Sequence, residues 1–162
     1  GGNRTGRIFT GDRSGDWLYR ALHRAGFANQ PTSTHRDDGL RLTDAYIAAV
    51  VRCAPPANKP TPEERDNCLP YLIEEIQLLA RLRVIVPLGA FAWDGVGRAL
   101  RALGHADGRL PKFGHAARAT VGPFTLIGSY HPSQRNTSTG LLTAAMLDAV
   151  FRAARAALGG RK

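Results

Sequence analysis

The segment Phe124-Thr-Leu-Ile-Gly-Ser-Tyr-His-Pro-Ser-Gln-Arg-Asn-Thr137 decides how the chain is read. Its first part, Phe124 to Gly128, is short and apolar, as a buried strand is. His131 follows, then Pro132, small polar residues and Arg135. From about Thr139 a long amphipathic stretch is expected to be a helix, with Leu142, Met146, Val150 and Ala153 on its inner face. A histidine between the carboxyl end of a strand and the start of a helix stands where open α/β sheets bind ligands. Loop N–H groups and the positive end of the helix would favour an anion there.

Outward from this segment, strands and helices alternate. Ser14 can cap a helix to about Ala25, with Leu18, Ala21, Leu22 and Ala25 on one face, and Gly26 ends it. Residues 28–42 form a polar connection. Ala45 to Val51 is a short apolar run with β-branched residues, expected as a buried strand. Residues 53–62 hold four prolines and admit neither helix nor strand. Thr61-Pro62-Glu63-Glu64 is a helix start, with a cap residue, Pro at the first position and acids in the first turn. That helix is expected to run to about Leu82, burying Leu69, Leu72, Ile73, Ile76 and Leu79. Val84 to Leu88 reads as another buried strand, Ala90 to Leu103 as a helix and 104–117 as a loop. Thr120–Val121 and Phe124–Ile127 should pair around Gly122-Pro123. Short buried strands alternating with helices predict an α/β fold, a three-layer α/β/α arrangement with a mostly parallel sheet.

The 162 residues read as one domain, 1–162, large enough for a real core. The chain starts on a polar, Gly-rich turn without Met, which reads as part of a longer protein. An apolar fraction of 43% with 22% charged residues suits a soluble globular protein. No apolar run approaches the roughly 20 residues of a membrane helix, so no membrane partner is expected. Lys and Arg number 22 against 13 Asp and Glu, a formal charge of +9. That surplus makes a polyanion, nucleic acid before membrane, the leading partner class. Arginine usage alone could also produce it. Cys53 and Cys68 are too few for a disulfide scaffold and point to a reducing cytoplasm. They are either small core residues or half of a four-thiolate metal or iron–sulfur site.

Three polar segments should meet at one sheet edge: Phe9 to Asp12, Cys53 to Pro60, and His131 to Thr137. Each candidate in them has two readings. Asp12 is a helix cap or a carboxylate stabilised by a helix N-terminus. Asn58, between prolines, is an Asx-turn residue or an amide that reads the edge of a base as donor and acceptor. Phe9 closes the core under the first helix or offers a stacking face. No nucleophile elbow, Walker loop, HExxH or paired CxxC occurs, and the Gly-rich start has no GxGxxG.

Gly2-Asn-Arg-Thr-Gly-Arg-Ile-Phe-Thr-Gly-Asp12, Val51-Arg-Cys-Ala-Pro-Pro-Ala-Asn-Lys-Pro60 and Ser129 to Thr137 together resemble the uracil-DNA glycosylase superfamily, most closely its iron–sulfur family 5 (type b) enzymes. The resemblance covers essentially the whole chain. It implies a central sheet of about four strands and removal of a deaminated base from double-stranded DNA. By the same resemblance, Asp12 would position the attacking water and His131 would donate to the uracil carbonyl as charge develops. Asn58 would read the extruded base and Phe9 would stack on it. The loop Pro132, Ser133, Gln134, Arg135, Asn136 and Thr137 would enter the minor groove, Arg135 filling the vacated stack or binding phosphate. Arg4, Arg7 and Lys59 are expected DNA contacts. Cys53 and Cys68 match two of the four ligands of a [4Fe–4S] cluster; the other two, and the first strand, would lie upstream of residue 1. The expectation is a monomeric, monofunctional glycosylase of the bacterial cytoplasm, associated with the nucleoid. Its substrate would be uracil, with hypoxanthine, xanthine and ethenocytosine as further candidates. Two other readings remain open: a non-catalytic iron–sulfur DNA-binding module, and a nucleoside hydrolase on the same fold.

Overall fold

The structure, a computed structural model, describes residues 9–50 and 62–159, without the side chains of 64 and 65. These residues fall into two compact units. One is built from the chain up to Ile47 together with the part from Ser129 onward, the other from Ala48–Gly128.

The first unit holds helix α1 (Arg13–Arg24), the short α4 (Gln134–Ser138) and α5 (Ala144–Ala157). Helix α1 buries Gly15, Leu18, Tyr19, Ala21 and Leu22, the stripe that the 3.6-residue period marks out. Helix α5 answers with Leu147, Val150, Phe151 and Ala154. This face is rotated from the one expected, because the C-terminal stretch does not run as one helix from Thr139. Gly140 takes φ 78, and Thr143 starts a new helix by accepting from Met146 N. Leu142 is wholly buried, but it stands before the helix, and Met146 is only half-buried. Arg155 ties the two long helices together: Nε and Nη2 donate to the carbonyls of Ala25 and Gly26 past the end of α1. Its guanidinium also lies 3.9 Å from the centroid of the Phe27 ring. Helix-end carbonyls have no partner within the helix, so a cation is well placed there.

The second unit holds α2 (Pro62–Leu78), β1 (Val84–Ile85), α3 (Ala90–Ala102), β2 (Arg118–Val121) and β3 (Phe124–Ile127). Its three strands are ordered β1-β3-β2, with β1 parallel and β2 antiparallel to β3. Gly122 at φ 56, followed by Pro123, supplies the positive φ that a two-residue hairpin turn needs. Leu72 and Ile76 of α2, Trp93, Val96, Ala99 and Leu100 of α3, and Val121, Phe124 and Leu126 of the sheet form one core. Each of the Leu, Ile, Val and Phe side chains contributes about 1.5–3 kcal/mol by leaving water. Trp93 keeps its indole N–H satisfied by donating to the Pro111 carbonyl at 3.0 Å.

Three expectations change here. The run Ala45–Val51 carries no strand over its described residues 45–50, none of them is buried, and Tyr46 is 58% exposed. Val50 packs against the hydrophobic core, but the run as a whole has no continuous buried face along which to pair. The strand expected over Val84–Leu88 shortens to Val84–Ile85, both half-buried. Helix α2 stops at Leu78 rather than Leu82, closing in a turn where Leu82 N donates to the Leu79 carbonyl. Among the described residues the sheet is therefore small and mixed, with three strands. No helix among them is long and apolar enough to cross a membrane.

Candidate active site

Two of the three polar segments meet in the first unit. The Phe9 and His131 rings have centroids 5.7 Å apart and planes tilted by 37°. The Asp12 charge acts on the same imidazole. The third segment, with Cys53, Asn58 and Lys59, lies outside the described residues, as do Arg4 and Arg7.

Phe9 owes its place to a compact turn. Its φ of 58 is left-handed, a region that side-chain-bearing residues enter only when their surroundings hold them. Thr10 is wholly buried, and its Oγ1 lies 2.5 Å from Oγ of Ser33, itself buried. Gly11 follows at φ 88. Asp12 then caps α1 in place of the expected Ser14, its Oδ1 accepting from Gly15 N at 2.9 Å. The two readings of Asp12 are thus compatible: the carboxylate is anchored at a helix N-terminus, yet the residue is exposed and within electrostatic reach of His131.

His131 is fixed from its C-terminal side. Asn136 Nδ2 donates to the His131 carbonyl at 2.9 Å. Pro132 is fully buried, and Ser133 caps α4 by accepting from Asn136 N. Thr137 is buried and donates from Oγ1 to the Gln134 carbonyl. Of the six loop residues expected at DNA, Pro132, Asn136 and Thr137 thus face the protein, Ser133 is half-buried, and Gln134 and Arg135 are exposed. Burial pushes the His131 imidazole below its ordinary value, and the Asp12 charge offsets part of that. The ring is therefore neutral near pH 7, with one N–H to donate.

Chemically, the cluster joins a neutral hydrogen-bond donor, an aromatic face and an anchored carboxylate. It contains no nucleophile activated for covalent attack. Cys68, on α2, is half-buried with a free thiol, a donor suited to a soft metal. Among the described residues, however, no group of three or more His, Cys, Asp or Glu side chains could hold a metal ion. The sequence has two cysteines in all, so a four-thiolate cluster does not fit these 162 residues alone.

Sequence reasoning did not find Ser33, Gly15 or the inward role of Asn136. Gly15 carried a signal in the Gly-rich turn; Ser33 carried none, because its partner stands 23 residues away.

A family model described as the Uracil DNA glycosylase superfamily matches residues 2–155. A type-5 uracil-DNA glycosylase of Mycobacterium bovis is 52% identical over 161 residues, 98% of this chain and 59% of that protein. One from Thermus thermophilus is 46% identical over 159 residues, 97% of this chain and 70% of that protein. A type-4 uracil-DNA glycosylase of Pyrobaculum aerophilum is 35% identical over 133 residues, 79% and 58% respectively. The chain thus spans about three fifths of the mycobacterial relative's length.

Proposed function

The chain belongs to the uracil DNA glycosylase superfamily, and from that premise we propose that it hydrolyses the N-glycosidic bond of uracil in DNA, leaving an abasic site. The observation that carries this reading is the meeting of Phe9, Asp12 and His131, brought together from segments more than a hundred residues apart. A base inside a duplex is unreachable, so it must be flipped out, at a cost of roughly a few kcal/mol. A ring inserted between two stacked faces needs about twice the 3.4 Å stacking distance, more than the 5.7 Å available. The base therefore lies against Phe9, with His131 at its rim. As the bond breaks, electrons move onto the base and the sugar becomes cationic. The neutral His131 N–H stabilises the developing oxyanion, and Asp12 orients water and offsets the sugar's charge. Asn58 reads the edge of the base in this scheme.

The substrate is double-stranded DNA carrying deaminated bases: uracil first, then hypoxanthine, xanthine or ethenocytosine. Arg4, Arg7, Lys59, Gln134 and Arg135 hold the phosphates, a role that the charge of +9 suits. Cys53 and Cys68 are two of the four thiolates of a [4Fe–4S] cluster whose remaining ligands are not among these residues. The complete sheet has about four strands and is mostly parallel, consistent with the parallel β1–β3 pair. Residues 1–162 act as one domain, since the family match runs through both units. The protein works as a monomer at the nucleoid, in the bacterial cytoplasm, a reading that rests on the substrate alone.

The test is to incubate the full-length protein with a labelled duplex holding one U·G pair and to analyse it for free uracil and alkali-labile sites. Release of uracil with an intact strand before alkali supports a monofunctional glycosylase. Tight binding without release on U·G, U·A and hypoxanthine duplexes leaves a DNA-binding module instead.

A further inference from the structure

We propose that Ser33 is a positioning residue for the Phe9 ring, which makes the 28–42 loop part of the device that receives the flipped base. The proposal rests on the function inferred above. Ser33 and Thr10 are both buried, and their hydroxyls meet at 2.5 Å. Thr10 is the residue directly after Phe9, and Phe9 holds a left-handed backbone.

The loop that carries Ser33 is braced from end to end. Ala28 and Leu42 pair across its mouth. Asn29 accepts from Arg41 N and donates to the Gly39 carbonyl. Asp38 accepts from Thr34 N and Leu40 N. Most of the loop is exposed, yet Ser33 is turned inward against Thr10. A stiff loop that buries one serine against the neighbour of a strained aromatic acts as a buttress. The Phe9 carbonyl, in the peptide link to Thr10, is itself lodged against Gly15. The two supports together fix the direction of the ring toward His131.

Ser33 meets Thr10, the neighbour of Phe9, through its hydroxyl, so a positioning effect on the base must pass through Phe9. The experiment is a double-mutant cycle in the full-length protein with Ser33→Ala, Phe9→Ala and the pair, read by single-turnover excision from a U·G duplex. Ser33→Ala should raise the half-saturating protein concentration roughly 3- to 10-fold, as loss of one hydrogen bond would, and move the plateau rate by less than about twofold. In the Phe9→Ala background it should add nothing. An equal added effect in both backgrounds overturns the proposal.

A second readout needs no activity. The chain has five histidines, and the His131 ring proton signal is the one lost in His131→Asn. Ser33→Ala should shift that signal in the same sense as Phe9→Leu, because both move the Phe9 ring, and leave those of His105 and His115 in place. An unmoved His131 signal overturns the positioning role. If the wild-type protein excises no base but the signal moves, the proposed function falls and the positioning role stands.

Discussion

The carbonyl oxygen of Phe9 lies 1.6 Å from where a Cβ on Gly15 would stand. Phe9 can therefore keep its place only while residue 15 has no side chain, and the first turn of α1 and the aromatic of the site are packed as one piece. Gly15→Ala must push Phe9 aside or unwind the helix start. Overpacking of this kind costs about 1–3 kcal/mol, so thermal unfolding should show a lowered Tm. Excision should fall further than the loss of folded protein explains. A Gly15→Ala variant with wild-type Tm and rate would show that the turn yields freely.

The pH dependence follows from His131. Burial holds its imidazole below the ordinary 6.5, and Asp12 raises it partway. The neutral donor prevails at neutral pH, so the rate should decline on the acid side as the ring takes its proton. Asp12→Asn removes the raising charge, so the acid limb of whatever activity remains should move to lower pH. Stability follows the same sign. Below pH 6.5 the unfolded chain binds a proton that the folded ring resists, so this contribution is lost as pH falls toward the folded value. An acid limb that stays fixed in Asp12→Asn would show that the two groups are uncoupled.

Asn136 and Arg135 are neighbours with opposite prospects. Asn136 holds the His131 carbonyl and Arg135 is exposed. Asn136→Ala should slow excision about 5- to 10-fold, the worth of a hydrogen bond, and leave the salt dependence of duplex binding alone. Arg135→Gln should weaken binding and lower the slope of log affinity against log salt by about 1. Fluorescence anisotropy over a salt series, beside single-turnover rates, separates the two.

Arg155 should matter for stability alone. It donates to two carbonyls past α1, pairs with Asp44 at 3.2 Å and covers Phe27. Arg155→Ala should cost about 2–3 kcal/mol, from the cation–π contact and the helix-end bonds together. Arg155→Lys should recover little, since a single ammonium cannot make the forked contacts. Chemical denaturation measures both.

The parts of the fold governed by local periodicity were legible in the sequence. The buried faces of α1 and α2, the helix over 90–102 and the hairpin at Gly122-Pro123 follow from spacing and turn chemistry. The C-terminal helix was misphased because Gly140 and the Thr143 cap break a stretch that hydrophobic spacing alone runs together. The strand expected at 45–51 failed for a different reason: composition reports what a segment could bury, while none of residues 45–50 is fully buried and Tyr46 stays 58% exposed. In the site, the approach of the first and third polar segments was foreseeable from the rule that loops after parallel strands share one sheet edge. The Thr10–Ser33 pair was not, because a serine in a polar loop looks the same whether it meets water or a buried threonine.

The central claim is that His131 supplies the donor that carries uracil away. The most direct measurement is the single-turnover rate on a U·G duplex for the full-length protein and for His131→Ala, with affinity for the undamaged duplex determined in parallel. The expected result is a rate lowered about 10²- to 10³-fold, the cost of losing one preorganised oxyanion donor, at unchanged affinity. A His131→Ala protein that excises uracil as fast as the wild type would contradict it.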